Sequence, residues 1–183
     1  MRYAFFLSCL LFAGCAAVEP QPVPSGNAGD SFFLSGRVAV KYGAEAASGN
    51  ISWQHGLAND DLLISTPLGQ GVARIERRGT MVNLTTSDQK VYQASDVESL
   101  TERVLGWRLP LEGLHDWVRG RAAAGAPAQI QMDGSQRPAE LRQSGWLVEF
   151  LDYKPGSALP ARLRLSHENL EIRLFIDQWR GEP

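Results

Sequence analysis

The sequence predicts a mainly β domain, an antiparallel meander of about eleven strands interrupted by two short helices. Apolar residues recur at every second position through most of the chain, the pattern of strands with one buried face. Short polar or glycine-containing turns separate these runs. Only in the middle does the apolar spacing change to that of a helix.

In chain order, Leu34, Val38, Val40 and Tyr42 alternate against Ser35, Arg37, Ala39 and Lys41. Similar runs follow near 48–55, with Ile51 and Trp53, and near 60–66, with Leu62 and Ile64. At 71–78, Val72 and Arg74 alternate against Ala73 and Ile75, and short runs at 80–86 and 89–93 complete this half. Ser95-Asp96-Val97-Glu98 has the spacing of a capping box and opens a stripe of Val97, Leu100, Val104 and Leu105 that Gly106 stops. Pro110 suits a first helical position; Leu111, Leu114, Trp117 and Val118 form a second stripe, which Gly120 closes. Beyond an Ala/Gly/Pro stretch at 122–128, period two resumes around 128–132, 138–143 and 145–153, where Trp146, Val148 and Phe150 alternate with Leu147, Glu149 and Leu151. The end is the clearest strand pair: Leu163 and Leu165 alternate with Arg162, Arg164 and Ser166, and Leu170, Ile172, Leu174 and Ile176 alternate with Glu171, Arg173, Phe175 and Asp177.

The N-terminus is of another kind. Arg2 precedes an apolar run from Tyr3 to Phe12, and the small residues Ala13 and Gly14 stand directly before Cys15. Crossing a bilayer as a helix takes about 20 apolar residues, so this shorter run reads as a cleaved signal peptide, residues 1–14. Leu11-Phe12-Ala13-Gly14-Cys15 resembles the lipobox of bacterial lipoproteins, with Phe12 where leucine is usual. Cys9 has too few residues upstream to hold both a charged and an apolar region. Cys15 is therefore the expected lipidation site, and the alternative is an ordinary secretory signal with an incidental cysteine. The chain has 2 cysteines; cleavage would remove Cys9 and lipidation would use Cys15, leaving no pair for a disulfide. Residues 15–30, rich in Pro, Gly and small polar residues, read as the lipidated cysteine and a flexible tether, and 31–183 as one domain. Ala16 stands where an aspartate would signal inner-membrane retention in enteric-type bacteria, so by resemblance the outer membrane is favoured.

Composition argues against a nucleic-acid partner: 18 basic residues face 20 acidic ones, and no polybasic patch supplies a phosphate footprint. The nucleophile elbow, phosphate loop and dinucleotide glycine fingerprint are absent. His55, His115 and His167 are far apart and in no metal-ligand spacing. Asp60 and Asp61, adjacent on a strand, point to opposite faces and read as part of a solvated turn. No catalytic residue, metal site or cofactor is expected.

Trp53, Trp107, Trp117, Trp146 and Trp179 serve equally well as core packing or as the lining of an apolar cavity. In Ser65-Thr66-Pro67-Leu68-Gly69-Gln70-Gly71, Pro67 and Gly69 frame a single leucine in a turn, where polar residues are the rule. Leu68 either folds back onto the core or protrudes as an apolar finger.

Several segments, in this order and spacing, resemble the outer-membrane lipoprotein receptor family LolB: LSGRVAV from Leu34, SGNISWQH from Ser48, the STPLGQG loop from Ser65, VLGWRLPLEGLHDWVRGR from Val104, GWLVEF from Gly145, and LPARLRLSHENLEIRLFIDQW from Leu159. The resemblance covers essentially the whole chain after the cleavage site. It implies an open, incomplete antiparallel β-barrel with helices as a lid over a hydrophobic cavity. It also implies acceptance of lipoproteins from the periplasmic carrier LolA and their placement in the inner leaflet of the outer membrane, without ATP. The expected partners are thus that carrier, the acyl chains of lipoprotein cargo and outer-membrane lipid, with the protein itself a monomer.

By the same resemblance, Pro67, Leu68 and Gly69 form the membrane-engaging loop. Trp53, Ile64, Trp146, Phe150, Ile172 and Leu174 are the candidates for contact with acyl chains, by alternation; Leu100, Val104, Trp107, Leu114 and Trp117 are the candidates for the lid. Arg162, Arg164 and Arg173 most simply form the solvated face of the last strands, or else meet the carrier. The rival function is a lipid-anchored envelope module that binds an apolar ligand or a protein and transfers nothing.

Overall fold

The computed structural model describes residues 31–181. The signal peptide, Cys15 and the tether lie outside the described residues. Eleven strands form one antiparallel sheet: β1 (Phe32–Tyr42), β2 (Glu45–Gly56), β3 (Asn59–Ser65), β4 (Gly71–Arg78), β5 (Met81–Thr86), β6 (Val91–Ala94), β7 (Ala128–Met132), β8 (Pro138–Gln143), β9 (Trp146–Tyr153), β10 (Pro160–His167) and β11 (Leu170–Arg180). Two helices, α1 (Val97–Leu105) and α2 (Leu111–Trp117), fall between β6 and β7.

The strand order is β6-β5-β4-β3-β2-β1-β11-β10-β9-β8-β7. Two meanders are thus joined where the first strand pairs with the last, from Phe33 opposite Arg180 to Tyr42 opposite Leu170. The sheet stays open, with β6 at one edge and β7 at the other. Gly36 sits at a bulge in the β1–β11 ladder. A Cβ there would stand 1.9 Å from the Phe175 carbonyl oxygen, so only glycine allows the two backbones to meet.

Alternation places the faces as expected. Leu34, Val38, Trp53, Leu62, Ile75, Leu84, Val148, Leu163, Ile172 and Leu174 are buried in one apolar cluster with Leu100, Leu111, Leu114 and Trp117 of the helices. The opposite face carries ion pairs: Arg164 with Glu149, Arg162 with Asp152, Arg173 with Glu171 and Arg74 with Asp61. Such solvated pairs add little to stability.

Both helix starts differ from expectation by about one residue. Asp96, not Ser95, caps α1: its carboxylate accepts the Ser99 amide at 2.7 Å. An aspartate there also complements the helix dipole, which a serine cannot do. Pro110 is the residue before α2, and its carbonyl accepts the Leu114 amide at 2.8 Å. Gly106 ends α1 in the left-handed conformation as the sequence suggested. The buried Thr101 hydroxyl accepts the Leu109 amide at 2.9 Å, tying the connection between the helices back to α1.

Candidate functional site

The apolar face of the sheet and the short helix lying on it form the candidate site. His115 of α2 stacks on His55 of β2, while Trp117, two residues later, donates its indole N–H to Gln143 of β8 at 2.8 Å and packs against Trp146 of β9. In a flat sheet β2 and β9 would stand four strand spacings apart, about 19 Å. A two-turn helix reaches both only because the sheet curls around it.

The side of α2 nearer β8 is fixed by Gln143, which is buried and uses all four of its hydrogen-bonding positions. Its oxygen accepts from Trp117 Nε1 and the Ala123 amide, each at 2.8 Å, and its Nε2 donates to the Ala123 and Ala126 carbonyls. The chain after the lid is thereby sewn to the sheet.

The other side rests on a charged network. Asp60, 2% exposed, accepts from Trp53 Nε1 at 2.9 Å and from His55 Nδ1 at 2.6 Å with one oxygen. Its other oxygen accepts Arg77 Nε at 2.6 Å. Burial opposes the charge, but these donors and the Arg77 guanidinium outweigh it and hold the carboxyl below its ordinary range. The carboxylate requires that Nδ1 of His55 carry the hydrogen.

The solvated-turn reading of Asp60 is therefore wrong, though the opposite-face argument holds, since Asp61 reaches Arg74 at the surface. The wide separation of the histidines in sequence also misled: antiparallel pairing puts His55 directly opposite Asp60, and the lid brings His115 down onto His55. Among the described residues no group of three or more His, Cys, Asp and Glu side chains could hold a metal ion.

The six acyl-chain candidates all face inward. Trp53, Trp146, Phe150, Ile172 and Leu174 are buried, and Ile64 packs against the cluster. Of the lid candidates, Leu100, Leu114 and Trp117 are buried against them, with Val104 and Trp107 at the margin. Side chains of α1 and α2 thus occupy the space over the sheet. A cleft of about 620 Å3 remains beside the lid, lined by Trp107, Trp117 and Trp146 along with Glu98, Glu102 and Glu112. Burial and the neighbouring Asp96 and Glu112 carboxylates push the Glu98 carboxyl upward.

A second cleft of about 600 Å3 is lined by His55, Asp60, Arg77 and His115. The two clefts adjoin at Glu112, Ala123 and Ala124, and the strand directions place their mouths toward opposite ends of the sheet. The first opens beside Tyr42 and the β10–β11 turn, the second beside the β2–β3 and β4–β5 turns.

Leu68 is 92% exposed. Its loop is a closed turn: the Gly69 amide donates to the Thr66 carbonyl and the Thr66 amide to the Gln70 carbonyl, each at 2.8 Å. Pro67 takes the second turn position and Gly69 has φ +86°, the roles these two residues fill best. The loop joins β3 to β4 at the same end of the sheet as the Trp107 cleft.

The family model described as "Outer membrane lipoprotein LolB" matches residues 30–179. The chain belongs to the LolB family of outer-membrane lipoproteins. A relative from Thiobacillus denitrificans named "Outer-membrane lipoprotein LolB" is 40% identical, with each chain covered in full. One of the same name from Nitrosomonas europaea is 38% identical over 94% of this chain and 89% of its own length. Among solved structures, a LolA superfamily protein from Nitrosomonas europaea superposes with a TM-score of 0.53 at 10% identity, covering 85% of this chain and 87% of that one. A DUF1329 family protein from Desulfovibrio piger gives 0.55 at 7% identity, with the same coverage. These two show that the LolB family chain shares the open-sheet fold with proteins remote from it in sequence.

Proposed function

We propose that the protein accepts lipoproteins from the carrier LolA and sets their acyl chains into the inner leaflet of the outer membrane, without ATP and without catalysing a covalent step. The observation that carries this reading is the pairing of Leu68, held out in water on a closed turn, with an apolar sheet face covered only by a short lid. A leucine held out in water does not serve a protein that merely packs its own core.

The energetics favour exchange between lid and cargo. Five apolar side chains from the helices, at about 1.5–3 kcal/mol each, contribute on the order of 8–15 kcal/mol by lying on the sheet. One sixteen-carbon acyl chain contributes on the order of 12 kcal/mol when buried. A lipoprotein bearing two or three chains therefore displaces the lid, and return of the lid offsets much of the cost of release. The six inward candidates Trp53, Ile64, Trp146, Phe150, Ile172 and Leu174 would receive the chains, and of the lid residues Leu100, Val104, Trp107 and Leu114 would leave them while Trp117 stays tied to Gln143.

Delivery assigns Pro67, Leu68 and Gly69 to the membrane surface. The anchor expected at Cys15 keeps the domain at the outer membrane but has no part in the exchange itself.

Reconstitution tests the reading: carrier loaded with a lipoprotein is mixed with this protein and then with phospholipid vesicles. Cargo is expected first in complex with the protein and then in the vesicles. Cargo that stays on the carrier would overturn the proposal.

A further inference from the structure

Besides burying Leu111 and Leu114, α2 is held at two flanks that are chemically unlike. On the β8 side Trp117 is held by a fully bonded buried glutamine and an aromatic neighbour, neither of which titrates. On the β2 side His115 lies on His55 with ring centroids 5.0 Å apart and planes 16° from parallel. That stack is backed by Asp60 of β3, which is in turn bound by Arg77 of β4.

The charged groups around His115 are of both signs. Asp116 approaches its Nε2 at 3.0 Å, and Glu112 lines the same cleft. Against them stand the His55 ring and Arg119, whose Nε donates to the His115 carbonyl at 3.0 Å and whose guanidinium lies 5.3 Å from the Phe32 ring on β1. Burial, aided by the positive charge of Arg119, makes a proton on His115 unfavourable despite Asp116.

We propose that the His55–His115 stack is the releasable latch of the lid: it holds α2 on β2 while His115 is neutral, and protonation of His115 frees that side of the helix to swing about the Trp117–Gln143 attachment. The assignment rests on the reading of α2 as a lid over an acyl-chain site, and names what regulates it. A histidine that is disfavoured as a cation in the closed arrangement and relieved in the open one binds its proton more tightly when open. The closed form is therefore fully favoured above the ordinary histidine range and loses ground as pH falls through about 6.5.

The experiment follows hydrogen exchange of the Leu111–Trp117 amides in the lipidated full chain, held in phospholipid nanodiscs, from pH 7.5 to 5.5 and corrected for intrinsic exchange. Opening is expected to rise about threefold to tenfold over this range, while β2 stays protected. In His115→Phe the aromatic contact remains and the ionisation is gone, so α2 protection becomes flat with pH. In His115→Asn, which removes the ring, α2 is expected to exchange faster at every pH, again without a slope.

A wild-type slope that persists in His115→Phe would overturn the proposal, as would wild-type protection in His115→Asn at neutral pH. Cargo transfer is measured across the same range. If transfer is absent at every pH while exchange keeps its His115-dependent slope, the latch stands and the transfer reading fails. A flat exchange profile beside efficient transfer rejects the latch alone.

Discussion

Trp117 and Gln143 share a buried hydrogen bond of 2.8 Å that joins the lid helix to the eighth strand. It is one of four bonds made by that glutamine side chain, so one residue ties both α2 and the segment at 121–127 to the sheet. Gln143→Ala would strand the Trp117 indole N–H and the Ala123 amide. A buried donor left unpaired costs about 1–3 kcal/mol. We expect a loss of roughly 3 kcal/mol in urea unfolding, with hydrogen exchange rising first in the Ala123–Ala126 segment.

Asp60 makes a different prediction, because its charge is held by Trp53, His55 and Arg77. Breaking a buried pair by removing one partner costs about 3–5 kcal/mol, so Asp60→Asn should fall in or just below that range at neutral pH. The sign with pH follows from the lowered carboxyl. The stabilisation is complete above the ordinary aspartate value near 3.9 and is lost as pH falls below it. Wild-type stability should therefore drop more steeply than that of Asp60→Asn below about pH 4 in acid titration followed by circular dichroism.

Leu68 should separate folding from delivery. Leu68→Glu alters a side chain in water and should change stability by less than about 0.5 kcal/mol. A buried leucine contributes about 1.5–3 kcal/mol, so loss of its insertion should weaken binding of the domain to phospholipid vesicles about tenfold to a hundredfold. Cargo acceptance should be unchanged. Vesicle sedimentation and the transfer assay check the two halves independently.

Gly36 tests the junction between the two meanders. Gly36→Ala places a methyl group against the Phe175 carbonyl, and overpacking of this kind costs about 1–3 kcal/mol or more. The melting temperature should fall, with early loss of amide protection along both β1 and β11.

Much of the fold was legible in single runs of residues. Alternation in Trp146, Val148 and Phe150, or in Leu170, Ile172, Leu174 and Ile176, identifies a strand and its buried face because successive side chains on a strand point opposite ways. Pro67 and Gly69 announced the turn beneath Leu68, since each residue prefers the backbone angles its position requires. The helix starts were less legible: Ser95 and Asp96 are both good caps, and the choice depended on which oxygen could reach the Ser99 amide.

The sequence by itself determined the antiparallel strands, their apolar face, the helical interruption and the turn that holds Leu68, because each follows from neighbours along the chain; that Leu68 points into water was decided by the structure. The partners of Asp60, the stacking of His55 on His115 and the bonding of Gln143 to the lid were decided only by the tertiary structure. These contacts join residues far apart in sequence, and they arise only when strand register and sheet curvature bring them to one place. The same closure settled where the lid's side chains lie: a packed core and an acyl-chain site use the same apolar residues, and only the docked helices show what now covers that face.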